Sequence, residues 1–479
     1  MLKTGNLIKL IFFFLGLVAV GTMTSCNKEP EYTAPVRSST ELGEFWLEKS
    51  GNNPNLNRYY QGMILGDSAV HLMVDYGTDI TAIEPTILSL ADSISPKGKQ
   101  NFTNPVQYKL WANGKSASYT VRISVSPVEF PVIKSIAAGY SHIIAIKSDG
   151  TVWACGNNAS GQLGMGDYSS RNVLTQVPIY NADKVFTGDA ATIIKLKDGT
   201  AWGAGNQYGQ LGLGHRYGIP TLTRVPFLDD ATQFAITFGE MFVLKPDGTV
   251  WGAGRNMESV LAQGDADLRV SFVKIPIDNV KSISGSAFNI LVQKTNGEIW
   301  GWGNNNTGQL GVGDKLPRKT PVMLPTPSTI SKIFAGGSSV YLIDNAGKVW
   351  ASGANTSGQL AVGDIDSRTS FTPIAFFNDK SVDAIIPHGT ATSFVETDGT
   401  IWNAGNNSSG LMGLGTRTSL PFTTPVQLPN FIAMASGGYG GTAFALKADG
   451  TLWAWGSNSS GALGTGTPIQ DVLSPIQIK

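Results

Sequence analysis

The chain alternates short apolar stretches with glycine-rich turns, and the first full unit of this pattern can be followed strand by strand. Residues 133–137 predict a strand, and residues 142–147 predict a second strand that is apolar on both faces and therefore buried. An Asp-Gly pair at 149–150 favours a tight hairpin into a third strand at 151–155. A glycine-rich loop leads to an outer strand at 173–178. The unit therefore predicts a four-stranded antiparallel sheet.

This unit recurs seven times, and one tryptophan marks each copy. Successive repeat tryptophans are 49 to 52 residues apart, and each has a glycine three residues before it and another three residues after it. A fixed period with tight hairpins is typical of propellers, and seven such units fit a closed ring that buries every sheet between two others. The repeat tryptophans are Trp153, Trp202, Trp251, Trp300, Trp350, Trp402 and Trp453.

We therefore expect an all-β fold with a seven-bladed β-propeller of four-stranded blades over residues 127–479. Two segments, 126–131 and 474–478, both resemble an extra outer strand, and the sequence leaves open which of them closes the ring. The third unit departs from the others because it lacks the glycine before its loop leucine and carries Ala262 after it. Relaxed turn constraints and a functional edge both explain this loss of regularity.

A smaller β domain is expected at residues 41–126. Residues 70–74 and 119–125 predict strands, and the Asn-Gly pair at 113–114 is a strong hairpin signal. The segments 77–96 and 104–125 resemble the Ig-like β-sandwich domains of Bacteroides-type surface lipoproteins, which implies a spacer or stalk.

The first 25 residues read as a lipoprotein signal peptide. A basic start is followed by an apolar run at 10–20, which is too short to span a bilayer, since that needs about 20 residues. The motif that ends in Cys26 resembles a bacterial lipoprotein box, which implies acylation of the Cys26 thiol and a tether over 26–40. We expect a lipid anchor in the outer membrane that faces the cell exterior. An ordinary signal peptide with a chance cysteine is the alternative.

Composition narrows the function classes. The 35 basic and 35 acidic side chains give zero formal charge, which disfavours a nucleic-acid binder because such a protein needs a basic face. Apart from Cys26 the chain has only Cys155, so the mature chain has no intrachain disulfide and no cysteine zinc site, and a buried inert thiol is expected. Of the 57 glycines, 47 lie in residues 132–479, where the turns of the repeats explain their excess.

The loop sequences identify the repeat. "WACGNNASGQLGMGD" (153–167), "WGWGNNNTGQLGVGD" (300–314) and "WAWGSNSSGALGTGT" (453–467) closely resemble the regulator-of-chromosome-condensation repeat, a family of seven-bladed propellers. Its eukaryotic founder is a nuclear guanine-nucleotide exchange factor that uses an inserted wedge and a basic tail. Here the regular unit spacing leaves no room for such a wedge, and the tail is replaced by the anchor. The resemblance to secreted bacterial members implies instead that one propeller face binds another protein.

Four units carry an aspartate followed four residues later by an arginine, directly after the last loop glycine. Equivalent loops lie on one face of a ring, so the pairs are expected around one rim. They are interpreted either as local ion pairs, which contribute about 0.2–1 kcal/mol each, or as a partner-binding rim, since arginines are favoured at interfaces. The pairs are Asp167 with Arg171, Asp265 with Arg269, Asp314 with Arg318, and Asp364 with Arg368.

No catalytic signature is found. The four histidines have neither metal-ligand nor relay spacing, and Trp302 and Trp455 fit blade packing better than a sugar platform. We expect no metal, no cofactor and no nucleic-acid partner, and a monomeric, non-enzymatic surface lipoprotein whose propeller face binds a protein or glycan. The alternatives are an extracellular polysaccharide- or peptide-acting enzyme with loop carboxylates and a nucleotide-exchange regulator.

Overall fold

A computed structural model describes residues 40–49, 51–56, 60–65, 68–126, 132–286, 288–428, 431, 433–436, 441–459, 461–466 and 470–478. The strands in these residues form nine sheets, of which seven have four strands, one has three and one has five. Helical structure in the described ranges is limited to two 3₁₀ turns, Pro226–Leu228 and Ala375–Phe377. No helix among these residues is long and apolar enough to cross a membrane. The predicted signal peptide, Cys26, the tether up to residue 39 and residues 127–131 lie outside the described residues.

The first eight strands form a two-sheet sandwich. One sheet has the order β2-β1-β5, and the other has the order β3-β4-β8-β7-β6 with β4 and β8 parallel. The predicted Asn113-Gly114 hairpin joins β7 to β8, and both residues have positive φ. Phe45 and Tyr108 meet edge to face in the core between the sheets. The strands are β1 Leu42–Leu47, β2 Tyr60–Gln61, β3 Met63–Leu65, β4 Ala69–Val74, β5 Thr86–Ser89, β6 Ser93–Ser95, β7 Val106–Ala112 and β8 Lys115–Val125.

The next 28 strands form the seven blades, and each blade takes four consecutive strands from one continuous segment. The strands are β9 Ile133–Ala138, β10 His142–Lys147, β11 Val152–Gly156 and β12 Arg171–Val177 in blade 1; β13 Ala182–Thr187, β14 Ala191–Leu196, β15 Ala201–Gly205 and β16 Ile219–Arg224 in blade 2; β17 Gln233–Ile236, β18 Glu240–Leu244, β19 Val250–Gly254 and β20 Arg269–Lys274 in blade 3; β21 Val280–Gly285, β22 Asn289–Lys294, β23 Ile299–Gly303 and β24 Arg318–Met323 in blade 4; β25 Ile330–Gly336, β26 Ser339–Asp344, β27 Val349–Gly353 and β28 Arg368–Pro373 in blade 5; β29 Val382–Pro387, β30 Ala391–Glu396, β31 Ile401–Asn407 and β32 Thr418–Leu428 in blade 6; β33 Ala433–Ser436, β34 Thr442–Leu446, β35 Leu452–Gly456 and β36 Val472–Ile478 in blade 7.

The first strand of each blade is innermost, and β33 of blade 7 packs against β9 of blade 1, which closes the ring. The segment 474–478 is part of β36, which pairs with β35 as the outer strand of blade 7. It is therefore not an eighth copy. The seven-bladed all-β prediction, with a preceding sandwich, is confirmed.

Hydrophobic clusters lie between neighbouring blades. Trp302 and Trp455 are fully buried, and their indole N–H groups donate to the carbonyls of Val260 and Leu411 in the preceding blades, so the packing interpretation of these tryptophans is confirmed. Cys155 is also buried, and burial raises the pKa of its thiol to about 12, as expected of an inert core cysteine.

The sandwich packs against blade 1 and the border with blade 2. The Ser126 hydroxyl donates to the Asp149 carboxylate at 3.4 Å, and the Tyr180 hydroxyl donates to the carbonyl of Gln61 at 3.0 Å. Met73 of the sandwich joins the core cluster between the first two blades. Asp149 and Tyr180 lie in turns at one end of the propeller, so the sandwich occupies that end and the adjoining side.

Candidate functional site

Strand order places two kinds of connection at the opposite end of the propeller. Because all four strands of a blade are antiparallel, the connection between the first and second strands and the connection between the third and fourth strands lie at the same end. We call these connections the inner turns and the outer loops, and we call their common surface the loop face. In blade 1 the inner turn is 139–141 and the outer loop is 157–170.

One buried asparagine organises each outer loop. In blade 4, the Asn305 side-chain oxygen accepts the backbone N–H of Leu310 at 2.9 Å, and its amide donates to the carbonyl of Asp314 at 3.0 Å. The same contact with the backbone N–H five residues later occurs in all seven blades. The asparagines are Asn158, Asn206, Asn256, Asn305, Asn355, Asn407 and Asn458, each at most 1% exposed. These residues were not singled out from the sequence.

The four Asp/Arg pairs are ion pairs within single loops. The distance from the arginine Nη2 to the aspartate Oδ2 is 2.6, 2.5, 2.7 and 2.5 Å in blades 1, 3, 4 and 5 respectively. Hydrogen bonds from Arg318 and Arg368 hold the pKa of Asp314 and Asp364 below the ordinary aspartate value. Each carboxylate also accepts a backbone N–H two residues later. The pairs therefore clamp their own loops, and one pair lies in each of four blades.

A further arginine–aspartate ion pair is not evident from the sequence, because its two residues are far apart in the chain. Arg417 of blade 6 contacts Asp471 of blade 7 at 2.7 Å, across 54 residues. Asp471 also accepts the backbone N–H of the loop asparagine Asn458. This pair joins two outer loops rather than closing one.

The irregular third unit keeps the turn geometry of its neighbours. Ser259 and Ala262 have φ of 55° and 53°, close to the positive φ of Gly308 and Gly311 at the equivalent places in blade 4. The interpretation that turn constraints are relaxed there is wrong. The loop holds two non-glycine residues in a conformation that costs about 1–2 kcal/mol each.

The inner turns differ from blade to blade. Their middle residues are Tyr140, Asp189 and Phe238 in blades 1 to 3, and the glycines Gly337 and Gly389 in blades 5 and 6. Together the inner turns surround a cavity of about 210 Å³ at the centre of the ring, with lining residues from all seven blades. Among the described residues, large side chains therefore line the side of this central cavity formed by blades 1 to 3, and glycines line the side formed by blades 5 and 6.

A second, larger cavity adjoins the central one. This polar cleft has a volume of about 430 Å³ and lies between blades 7, 1 and 2. It shares Tyr140 and Asp189 with the central cavity. Of its thirteen described lining residues, ten carry a hydroxyl, amide or carboxyl group, the other three are alanines, and none is basic.

Asp189 is the one carboxylate among the described lining residues of the polar cleft. Burial raises its pKa above the ordinary value, although the Arg255 guanidinium opposes this rise. Arg255 stacks on the rings of Tyr208 and Phe238, at 5.2 and 5.8 Å from their centroids. The rings of Tyr140 and Phe238 meet edge to face, with centroids 6.1 Å apart, across the turn that carries Asp189. Aromatic rings therefore flank this carboxylate.

Polar side chains are also buried directly behind the inner turns. The His142 Nε2 lies 3.1 Å from the Thr192 hydroxyl in the next blade, and burial lowers the pKa of His142 to about 4. Burial likewise lowers the pKa of His388 to about 3. Glu240 accepts the backbone N–H of Asn256 and the hydroxyl of Thr237, while burial raises its pKa to about 7. In the described ranges, no three His, Cys, Asp or Glu side chains are grouped to hold a metal ion.

Family models match both parts of the chain. Residues 55–123 match the SGBP N-terminal model, and residues 133–162, 296–343 and 449–479 match the regulator of chromosome condensation (RCC1) repeat. The ultraviolet-B receptor UVR8 of Arabidopsis thaliana is 32% identical over 108 residues, which are 22% of this chain. The chain spans about a quarter (24%) of the length of that relative.

Solved structures are similar to the propeller. Yeast RCC1 (Prp20), determined in complex with Kap60, has a TM-score of 0.61 and 18% identity, covering 73% of this chain and 85% of its own. The separate structure of Prp20p from Saccharomyces cerevisiae has the same TM-score with 17% identity, covering 73% of this chain and 87% of its own. At this identity the similarity supports the fold alone. The chain therefore carries RCC1 repeats within its propeller, preceded by a segment that matches the SGBP N-terminal model.

Proposed function

We propose that the chain is a non-enzymatic cell-surface binding protein, anchored through lipid on Cys26, that captures a glycan or protein on the loop face. The position of the sandwich carries this proposal. It contacts the propeller at Asp149 and Tyr180, at the end opposite the loop face, and along the side of blade 1 it borders residues 164–166 of one outer loop. No described sandwich residue lines the central cavity or the polar cleft. An anchor that precedes the sandwich therefore leaves the loop face available to a ligand.

The matched families support a binding role. The SGBP N-terminal model names a class of surface glycan-binding proteins. Yeast RCC1 (Prp20) binds Kap60, Gsp1p and histones, so a propeller of this kind serves as a protein-binding surface there. Both relatives support recognition rather than chemistry.

The surface of the loop face supports the same role. Five consecutive outer loops each expose one large apolar side chain, a feature that favours contact with a macromolecule when such residues share one surface. They are Tyr168, Tyr217, Met257, Leu316 and Ile365, between 48% and 66% exposed. The buried histidines His142 and His388 are held neutral behind this surface and are not placed to exchange protons with a ligand.

Anchoring is tested by replacing Cys26. We expect Cys26→Ala to move the protein from the membrane fraction to the soluble fraction, because the acyl chains supply the membrane affinity. Cys155→Ala is the matched control, since that thiol is buried and several related units carry alanine there. A Cys26→Ala protein that stays entirely in the membrane fraction contradicts the anchor.

The binding face is tested by shielding it. Because Cys155 is buried, a large polyethylene glycol maleimide attaches only to an introduced cysteine on the lipidated chain. We expect the polymer on Asn306→Cys, at an exposed site of the loop face, to reduce capture of soluble polysaccharides or proteins by about tenfold or more. The polymer on Leu90→Cys, a 74% exposed sandwich position, should leave capture unchanged. The reverse pattern contradicts the loop face as the binding surface.

A further inference from the structure

We propose that the polar cleft binds a single ring of a neutral saccharide, with the sugar lying on Tyr140 and donating hydroxyl hydrogens to Asp189. This inference deepens the proposed function and rests on it, since it assigns the ligand class and the site. Tyr140 is 38% exposed, and its ring is held by an edge-to-face contact with the ring of Phe238. An exposed and braced aromatic face offers rigid apolar contact to the C–H face of a sugar ring.

The cleft also holds polar groups that lack partners. Among the described residues, the Asp189 carboxylate accepts no hydrogen bond, and Arg255 reaches it only through its charge. Thr442 is 3% exposed, and its hydroxyl has no hydrogen-bond partner in the part of the chain that the structure describes. A buried hydroxyl without a partner costs about 1–3 kcal/mol. A ligand hydroxyl in the cleft would relieve this cost.

Two amides complete the pattern of donors. The Asn157 oxygen accepts the Gln162 amide at 3.1 Å, and the Gln207 oxygen accepts the Ser160 hydroxyl at 3.2 Å. Each of these bonds uses the oxygen, so the side-chain N–H₂ groups of Asn157 and Gln207, which both line the cleft, have no hydrogen-bond partner among the described residues. The cleft thus presents one strong acceptor, two amide donors and one hydroxyl that can do both.

This chemistry selects the ligand class. A sugar ring has one apolar face and several hydroxyls that both donate and accept, so it matches the aromatic face and the mixed polar groups. An acidic ligand is disfavoured, because the cleft contains a carboxylate and none of its described lining residues is basic. A protein interface is also disfavoured, since its buried centre is usually apolar and here the apolar lining other than Tyr140 consists of three alanines.

The test uses the mature lipidated chain in detergent with neutral hexasaccharides of glucose, mannose, galactose and xylose, measured by titration calorimetry. A sulfated glycan and a lysine-rich peptide are the charged comparison ligands. We expect one or more neutral hexasaccharides to bind, and Tyr140→Ala and Asp189→Ala each to weaken that binding by about tenfold or more. Thr442→Val should weaken binding without lowering the unfolding midpoint, because it removes an unpartnered hydroxyl.

The controls lie outside the cleft. Tyr76→Ala removes an exposed tyrosine of the sandwich, and Asp267→Ala removes an exposed aspartate of the loop face. Both should change saccharide affinity by less than about twofold. Saccharide binding that survives the cleft substitutions overturns the site but leaves the proposed function standing.

Two other results overturn the ligand class. Binding of only the lysine-rich peptide would make the Asp189 site a cation site. Capture of a protein on the loop face, with no neutral saccharide bound, would overturn the saccharide proposal and retain the binding role. A chain that captures neither glycan nor protein by the loop face overturns both proposals.

Discussion

On the loop face, the seven outer loops repeat one set of contacts, whereas the seven inner turns share few side chains. Each outer loop has its buried asparagine, and four have the same Asp/Arg clamp. The inner turns place Tyr140, Asp189 or Phe238 in one sector and glycines in another. Both kinds of connection lie at the same end of the same blades. The difference therefore separates residues that build every blade from residues that only one sector needs.

The residues that recur in every blade provide a reference with which single-copy residues of the same chain can be compared. A residue that recurs in seven blades is explained by the geometry that the blades share, because each copy solves the same packing problem. The Asp189 carboxylate and the Thr442 hydroxyl have no such explanation and no partner among the described residues. These single-copy groups are where recognition is expected. Substitutions at repeated and at single-copy residues can test this division between structure and recognition.

The largest effect is expected at a repeated glycine that ends the third strand. Gly303 has φ of +101°, and a Cβ there would collide with the carbonyl oxygen of Phe288 in the inner turn. Gly297 precedes the same tryptophan with φ of +90° but has open space around it. We expect Gly303→Ala to lower the free energy of unfolding by about 3–5 kcal/mol, through both backbone strain and collision.

The matched control is Gly297→Ala, which should cost only about 1–2 kcal/mol from positive φ. Urea unfolding followed by tryptophan fluorescence measures both. Equal losses in the two variants would mean that the close approach of Gly303 to the inner turn adds nothing to the cost of the substitution, contrary to the geometry.

The next effect is expected at the loop asparagines. Asn305→Ala leaves the buried N–H of Leu310 and the carbonyl of Asp314 without their side-chain partner, which should cost about 2–4 kcal/mol. Asn306→Ala is a control in the same loop, because that side chain is exposed, and it should change the free energy of unfolding by less than about 0.5 kcal/mol. An equal decrease of the urea midpoint in both variants would contradict the interpretation that the buried asparagine organises the outer loop.

The sequence predicted the blades because their signals recur at a nearly fixed period. The tryptophans and flanking glycines, Gly150 and Gly156 in the first unit, mark strand and turn positions directly. The asparagines were missed although they also recur. In six blades the asparagine follows the tryptophan by five residues, but Asn206 follows Trp202 by four, and neighbouring asparagines elsewhere obscure the buried one.

The candidate site could not be predicted in the same way. The polar cleft brings together Tyr140, Asp189 and Thr442, which are far apart in the chain and belong to three blades. None of them belongs to the repeat pattern, so periodicity gives no signal for them. The Asp/Arg pairs were found because four-residue spacing is visible in the sequence, whereas Arg417 and Asp471 meet only because blades 6 and 7 pack side by side.

A pH-dependent effect is expected at Glu240, a single-copy residue that links an inner turn to an outer loop. Its folded pKa of about 7 lies above the ordinary value of 4.5, so the folded state favours the protonated carboxyl. Its contribution to stability is complete below pH 4.5 and is lost as the pH rises through 7. We expect wild type to lose about 2–3 kcal/mol relative to Glu240→Gln between pH 5 and pH 8.

Urea unfolding of both proteins across this pH range measures the difference. The glutamine keeps an oxygen for the backbone N–H of Asn256 and offers an N–H₂ to Thr237, so its own contacts do not change with pH. Parallel pH profiles for the two proteins would show that ionising Glu240 does not lower the free energy of unfolding. The single-copy residues behind the inner turns would then be no less stably accommodated than the repeated residues.

The smallest effect is expected at the Asp/Arg clamps, which are repeated but half-exposed. Arg368→Gln removes the partner of Asp364 and should lower the melting temperature by less than about 2 °C, because exposed ion pairs contribute little. Since Arg368 holds the pKa of Asp364 low, the effect should be present above about pH 4, fade as the pH falls below it, and vanish in 1 M salt. Arg216→Gln is the control, because Arg216 is exposed on the blade 2 loop and forms no ion pair with a described residue.

Capture of a loop-face ligand should be equal in the Arg368→Gln and Arg216→Gln variants. A loss of capture confined to Arg368→Gln would place the clamps in the binding surface, and the division between repeated scaffold and single-copy recognition would then fail at the rim.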